Sequence, residues 1–287
     1  MFTRKPATKS LSFIVLLCIA VCAPFMAHAE TVETPDWAAP FAERVYEAWR
    51  DGAPMPQISV AYPDATLEEA YLVQRHFVKR MLETEEIGGY KAAGVANPAP
   101  EFPLIAMMPA SGVLYASDDV VIELADDPNR HVENEIGFIF DKAITAPVAD
   151  VATLRTHVEA IVAIVEVPGN PVEEEQPGTG NDIVAWNING KDMILGKPHD
   201  PDAIDPDAVA ITFTRNGEVI NQARGDMAAG GQWHTLLKTV NHIIEQGYTL
   251  EPGHVITNGA LNKIVKAEPG RHRADYGPLG VIEFEVQ

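Results

Sequence analysis

The segment HVENEIGFIF, residues 131–140, places two glutamates at the head of a strongly apolar stretch. Its β-branched and aromatic residues favour a strand, on which side chains two residues apart share one face. Glu133 and Glu135 are therefore predicted to point the same way. Two carboxylates held side by side repel each other unless one is protonated or a cation bridges them. The segment thus indicates either a cation site or a strand face that is open to solvent.

A third carboxylate, Glu166, ends a second apolar run, residues 160–165. Both cysteines of the chain lie within its first 29 residues, so no thiol accompanies the carboxylates in the rest of the sequence. Three carboxylates without sulfur suit a hard cation such as Mg²⁺ or Mn²⁺, which prefers oxygen ligands. From the residues alone an alternative stays open, in which Glu133 and Glu135 are solvated and Glu166 only ends a buried strand.

The first 29 residues have the pattern of a secretory signal. Three cations precede an apolar core over residues 11–22, and Ala27-His28-Ala29 matches an A-x-A cleavage site. We expect cleavage after Ala29 and a protein that is exported, either periplasmic or secreted. Beyond this signal peptide, residues 1–29, the sequence predicts a helical N-terminal cap over residues 30–88 and a mixed-sheet body over residues 89–287.

The chain is acidic, with a formal net charge of −20 at pH 7. Such a charge repels nucleic acid and anionic membranes, so neither is expected as a partner of the mature protein. An anionic substrate would need a local cation or a metal ion in order to bind.

Periodicity and turn residues predict the individual elements. Helices are predicted over residues 40–50, 66–82 (opened by a capping box of Thr66 and Glu69), 153–160 and 232–246. Strands are predicted over residues 90–95, 113–124, 132–140, 161–167, 254–257, 263–267 and 281–286, with a hairpin of 208–214 and 218–223 around Asn216-Gly217. Arg271-His272-Arg273 is expected in a hairpin loop.

The sequence resembles the 2-keto-4-pentenoate hydratases, a branch of the fumarylacetoacetate-hydrolase superfamily, over nearly the whole mature chain. The similar stretches are short, and their order and spacing make the match specific. They are GYKAAG (89–94), GVLY (112–115), VENEI (132–136), EV (166–167), DIVAWN (182–187), RG (224–225) and NGAL (258–261). The resemblance implies an α+β fold with a rolled mixed β-sheet of the fumarylacetoacetate-hydrolase C-terminal type, flanking helices and assembly into a homo-oligomer.

The resemblance also implies the site. In that family the E-x-E pair and the later glutamate bind a divalent ion, which here means Glu133, Glu135 and Glu166 with Mg²⁺ or Mn²⁺. The family's lysine after the Gly-rich turn matches Lys91, which would hold the substrate carboxylate or enolate, or shuttle a proton. Substrate contacts are expected from Asn187, Asn258, Gly259, Ala260 and Leu261. For Gly259 to Leu261 a tight structural turn is an equal alternative.

Three departures from the family pattern lie where the family contacts substrate. Asn258 stands where Thr or Ser is usual, no Asp is found near Ala110 or Ser111, and Trp186 replaces an acid. The metal ligands are intact, so the pattern favours retained metal chemistry with an altered pocket.

The implied activity is that of a hydro-lyase, a metal-dependent hydratase acting on a small anionic 2-hydroxy-dienoate or 2-oxo-enoate. Two sister reactions share the ligands: decarboxylation of a 2-oxo acid and hydrolysis of an acylpyruvate. An alternative of another class is a non-catalytic exported protein that binds 2-oxo acids or a metal.

Overall fold

The predicted N-terminal helices are present and pack against each other. The protein is described by a computed structural model over residues 34–95, 101–125, 127–169 and 178–287, so the predicted signal peptide lies outside the described residues. The helices are α1 (Ala38–Arg50), α2 (Ile58–Ala61), α3 (Leu67–Met81), α4 (Val151–Arg155), α5 (Gly180–Ala185) and α6 (Gln232–Glu245). The capping box is confirmed, since Thr66 N donates to Glu69 Oε2 at 2.8 Å and Glu69 N donates to Thr66 Oγ1 at 3.2 Å.

The strands form two sheets. They are β1 (Ile87–Ala93), β2 (Leu104–Pro109), β3 (Val113–Tyr115), β4 (Val121–Ile122), β5 (His131–Phe140), β6 (Val158–Val167), β7 (Asp192–Leu195), β8 (Ala210–Arg215), β9 (Glu218–Arg224), β10 (Val255–Thr257), β11 (Val265–Lys266), β12 (Gly270–Asp275) and β13 (Val281–Val286). The larger sheet has the order β2-β1-β10-β5-β6-β7-β3, with β11 also pairing with β5. The smaller sheet has the order β4-β13-β12-β8-β9. Both sheets mix parallel and antiparallel pairs, which confirms the α+β prediction of a rolled mixed sheet.

The two faces of the larger sheet are buried in different ways. One face joins the main hydrophobic core, to which β5 contributes Val132, Ile136, Phe138 and Phe140. The opposite face, here called the inner face, carries a second cluster of buried apolar side chains. Its members are Met108, Val162, Ile164, Met193, Leu195 and Val255. Because side chains alternate along a strand, Glu133 and Glu135 lie on this inner face.

Three predicted elements are wrong. The strand expected over residues 113–124 is interrupted after Tyr115, and Asp119 has a left-handed φ of 51°, which ends any continuous strand. The helix expected over residues 153–160 is the shorter α4. The chain re-enters the sheet at Val158 because pairing with β5 overrides the local helical pattern.

The third correction concerns Arg271-His272-Arg273. These residues lie in β12, between β13 and β8, and not in a loop. His272 and Ala274 are buried while both arginines are exposed, which is the alternation of a half-buried strand.

The hairpin at Asn216-Gly217 is confirmed. Asn216 and Gly217 have φ values of 51° and 86°, as a two-residue turn of the I′ type requires. No helix among the described residues is long and apolar enough to cross a membrane.

Candidate metal centre

Three carboxylates meet on the inner face of the larger sheet. Glu133 on β5 lies directly opposite Glu166 on β6, and Glu135 follows two residues along the same strand face. One oxygen from each of the three carboxylates lies within 4.8 Å of the others. Glu135 and Glu166 are 0% exposed and Glu133 is 8% exposed, so the pair is not a solvated strand face.

The inner face next to the carboxylates is apolar and closely packed. Gly137 continues the face beyond Glu135, and a side chain there would collide with Ile164 Cδ1, 2.1 Å from the position of a Cβ. Ile164 itself lies opposite Glu135 on β6 and belongs to the apolar cluster. The carboxylates therefore lie beside a floor of buried apolar side chains.

Burial and mutual repulsion determine the protonation of the cluster. The pKa of Glu133 is raised to about 7, mainly by burial and next by the charge of Glu166. The pKa of Glu135 is raised well above its ordinary value by burial and by the charges of Glu166 and Glu133. A buried excess of negative charge is unfavourable unless a cation compensates it.

The donor set fits a hard divalent cation. Glu135 Oε1 and Glu166 Oε2 are buried and have no hydrogen-bond partner among the described residues. Buried acceptors without partners are costly, and a cation held between the carboxylates would satisfy both. Carboxylate oxygens without sulfur or imidazole match the preference of Mg²⁺, Mn²⁺ or Ca²⁺.

Lys91 lies inside the same cluster. It is 3% exposed, and its Nζ contacts Glu166 Oε1 and donates to the carbonyl of Ile188 at 3.3 Å. Burial alone would lower the pKa of Lys91, but the charges of Glu166, Glu133 and Glu135 outweigh it and the net direction is upward. The ammonium form is therefore favoured at this position.

The loop after β10 orients one of the three carboxylates. Glu135 Oε2 accepts hydrogen bonds from Thr257 Oγ1 and, at 2.7 Å, from Gly259 N. Gly259 has a φ of 95°, and a Cβ there would lie 2.7 Å from Val95 Cγ2, so glycine is required. The structure thus places Gly259 beside the cluster, where its backbone N–H orients the Glu135 carboxylate. Thr257 was not predicted from the sequence, although it precedes the NGAL stretch by one residue.

The neighbours of Gly259 serve the surrounding framework. Asn258 Nδ2 donates to Gln232 O at 2.8 Å and to Gln232 Oε1 at 2.9 Å, which ties the loop to the start of α6. Leu261 is buried and its N donates to Asn134 O at 2.9 Å, while Ala260 is half-buried. Whether any of them touches substrate stays a prediction.

The segment around Asn187 also approaches Lys91, through the carbonyl of Ile188. Asn187 is 1% exposed and its side-chain amide is bonded to the backbone of Met107 on β2. Trp186 is buried in the main core, where its Nε1 donates to Pro56 O at 2.8 Å. The tryptophan therefore reinforces the core in a position where a pocket residue was expected. Ala110 and Ser111 are exposed in the turn between β2 and β3.

The raised pKa of Glu133 has a testable consequence. A cation must displace the proton from this carboxylate, so we expect divalent-ion affinity to rise with pH through about 7, with release of protons on binding. Since this folded-state pKa lies above the ordinary 4.5, the stability of chelator-treated protein should fall as the pH rises through about 7, and Mg²⁺ should restore it. Calorimetry in buffers of different protonation enthalpy measures the proton release. Affinity that does not change with pH would contradict the expectation.

Fold and site together define a protein with a buried centre of three carboxylates and one lysine on the inner face of a rolled mixed sheet. The model of the fumarylacetoacetate (FAA) hydrolase C-terminal family matches residues 78–286, and the chain belongs to this family.

Curated relatives and solved structures agree with this assignment. A 2-keto-4-pentenoate hydratase of Paraburkholderia xenovorans (strain LB400) is 23% identical over 83% of this chain and 90% of its own length. A 2-keto-4-pentenoate hydratase of Burkholderia vietnamiensis (strain G4 / LMG 22486) is 28% identical over 85% of this chain and 95% of its own length. The 4-oxalocrotonate decarboxylase of Pseudomonas putida G7, solved with magnesium and adipate, superposes with a TM-score of 0.81 at 19% identity, covering 88% of this chain and 97% of that one.

Proposed function

We propose that the protein is a divalent-metal-dependent enzyme that adds water to a 2-oxo-enoate or to its 2-hydroxy-dienoate tautomer. The observation that carries the proposal is the contact of the Lys91 ammonium with Glu166, one of three buried carboxylates whose oxygens lie within 4.8 Å of each other. A hard cation and an ammonium group side by side both stabilise negative charge that develops on oxygen. The hydratases among the relatives act on compounds of this class, as their names state.

Each of the three acidic residues has a proposed role as a metal ligand. Glu133, Glu135 and Glu166 would hold the ion, which supplies a Lewis acid for the enolate oxygen of the substrate. Thr257 and Gly259 donate hydrogen bonds to Glu135 Oε2, which favour one orientation of this proposed ligand. Mg²⁺ or Mn²⁺ is the proposed ion.

Lys91 is the group that handles charge and protons on the substrate side. Hydration adds one hydrogen and one hydroxyl group across a carbon–carbon double bond, so one proton must reach carbon and one must leave the attacking water. We assign this transfer to the Nζ of Lys91, and its contacts with Glu166 and the Ile188 carbonyl support the assignment. The apolar floor beside it offers contacts to the carbon chain and excludes competing water.

Decarboxylation is the second candidate. The superposition on the 4-oxalocrotonate decarboxylase covers nearly all of that chain, and a curated decarboxylase of the same name is 23% identical to this chain. Both reactions generate negative charge at the 2-oxygen, so the same cation and lysine serve either one.

A panel of 2-oxo acids incubated with Mg²⁺ separates these possibilities by their products. Hydration gives a hydroxylated 2-oxo acid that keeps every carbon, decarboxylation releases carbon dioxide, and hydrolysis of an acylpyruvate gives two acids. Product analysis by NMR is therefore decisive. Binding of 2-oxo acids without turnover of any of them, in metal-loaded protein, would instead support a non-catalytic binding protein.

We also propose that the enzyme works outside the cytoplasm. The expected result is a mature protein that begins at or near Glu30, because the A-x-A site ends at Ala29. Mass spectrometry of the product recovered from periplasm or medium checks it. A cytoplasmic protein that retains residues 1–29 would contradict export.

A further inference from the structure

Three consecutive residues before β7 have a left-handed backbone. Asn187, Ile188 and Asn189 have φ values of 53°, 47° and 53°, and we name residues 187–189 the left-handed turn. Asparagine tolerates this conformation, but a β-branched residue such as Ile188 adopts it rarely and at a cost in free energy. Such conformations persist where the surroundings enforce them, and they are concentrated at functional sites.

The left-handed turn determines where the Ile188 carbonyl points. Its oxygen accepts a hydrogen bond from Lys91 Nζ at 3.3 Å, inside the protein, where Ile188 is 6% exposed. The same ammonium group also contacts Glu166 Oε1. The Lys91 side chain is therefore held from two sides, by a carboxylate of the metal centre and by the turn.

Asn187 is the residue that fastens the left-handed turn to the sheet. Its Oδ1 accepts from Met107 N at 3.0 Å and its Nδ2 donates to Met107 O at 2.8 Å. Met107 belongs to β2, the last strand of the larger sheet, and pairs on its other side with Tyr90, the neighbour of Lys91. The amide thus takes the place of a neighbouring strand, and it connects the turn to the strand pair that carries Lys91.

We infer that Asn187 is a positioning residue for Lys91: its pairing with Met107 maintains the left-handed turn, which aims the Ile188 carbonyl at the Lys91 ammonium. The inference rests on the proposed function for its effect on turnover. It gives Asn187 a different role from the predicted substrate contact, since both ends of its amide are bonded to the backbone.

The chain contains a matched control. Asn241 in α6 makes the same double contact with Val148, accepting from its N at 2.7 Å and donating to its O at 3.0 Å. Its substitution removes equivalent hydrogen bonds from a place that does not contact the metal centre. In both Asn187→Asp and Asn241→Asp the new carboxylate retains the acceptor and repels the backbone carbonyl. Asn187→Gly is the second variant at the site, because it removes the amide, adds no charge and permits a positive φ.

The experiment combines a structural and a kinetic measurement on the full metal-loaded protein. In protein labelled with ¹⁵N-lysine, the ammonium signal of Lys91 is assigned by its loss in Lys91→Met, and its hydrogen exchange with water is measured. We expect faster exchange in Asn187→Asp and Asn187→Gly, and a kcat lowered about tenfold to a hundredfold, as a small misplacement of a catalytic group produces. Mg²⁺ affinity should be unchanged. Asn241→Asp should leave both the exchange and kcat at the wild-type values.

Two results would overturn the inference. One is a wild-type Lys91 signal together with a wild-type kcat in folded Asn187→Gly. The other is an equal loss in Asn241→Asp, because the effect would then be one of general stability. A wild-type protein that turns over no 2-oxo acid would count against the proposed function alone, since the ammonium signal still decides whether Asn187 positions Lys91.

Discussion

Glu133→Ala and Glu135→Ala are each expected to lose divalent-ion binding while the protein stays folded. The three carboxylates are the proposed ligands, and one oxygen of Glu135 and one of Glu166 have no hydrogen-bond partner among the described residues. Removing one carboxylate also relieves repulsion inside the buried cluster, so the free energy of unfolding without metal should not fall through charge loss. Changes in the groups that surround metal ligands typically cost ~10- to 100-fold in affinity, and loss of a direct ligand should cost at least that.

The two variants differ in what else they disturb. Glu135 also accepts from Thr257 and Gly259, so Glu135→Ala disturbs the loop after β10, whereas Glu133→Ala tests the ligand more directly. Glu159→Ala is the control, because Glu159 is an exposed glutamate on β6, the strand that carries Glu166. Calorimetric titration with Mg²⁺ and Mn²⁺ measures the affinity. Unchanged binding in both Glu133→Ala and Glu135→Ala would refute the metal centre.

The periodicity of one strand is enough to predict that two of the three carboxylates share a face. Glu133 and Glu135 share a face because side chains on a strand alternate, and that rule needs no knowledge of neighbouring strands. The position of Glu166 opposite Glu133 depends on the register of β5 against β6. Register is a tertiary property, so the residues alone left open whether the three carboxylates meet, and the family resemblance supplied the answer.

Sequence patterns do not predict the role of residues that act through their backbone or through partners distant in sequence. Ile188 contributes its carbonyl to Lys91 because of a left-handed φ, which nothing in an isoleucine side chain signals. In the sequence, Thr257 is one more β-branched residue of a short strand, and nothing there indicates its hydrogen bond to Glu135. Strand β2, residues 104–109, is not predicted from the sequence, because Leu, Ala and Met favour helices. The strand is also buried on both faces, so its sequence shows no alternation of polar and apolar residues.

Lys91→Met is expected to lower turnover by ~10²- to 10⁴-fold, the range that a general acid or base typically contributes. Methionine keeps much of the apolar stem and removes the ammonium group. Lys91 Nζ contacts Glu166, and its charge opposes the rise in the pKa of both Glu133 and Glu135, so its loss removes a positive charge that faces all three carboxylates. Divalent-ion affinity should survive or rise, because a positive charge that competes with the ion is lost.

The substitution also separates catalysis from folding. Lys91 is buried against Glu166, and removing one partner of a buried ion pair leaves the other uncompensated. Lys91→Met should therefore be less stable than wild type in chelator and should recover stability in saturating Mg²⁺, the condition in which turnover is to be measured. Lys142→Met is the control, since Lys142 is an exposed lysine that also donates to a backbone carbonyl, that of Thr156. If metal-saturated Lys91→Met kept the turnover of wild type and of Lys142→Met, Lys91 would not be catalytic, and the proton transfer would have to be assigned to the carboxylates of the centre.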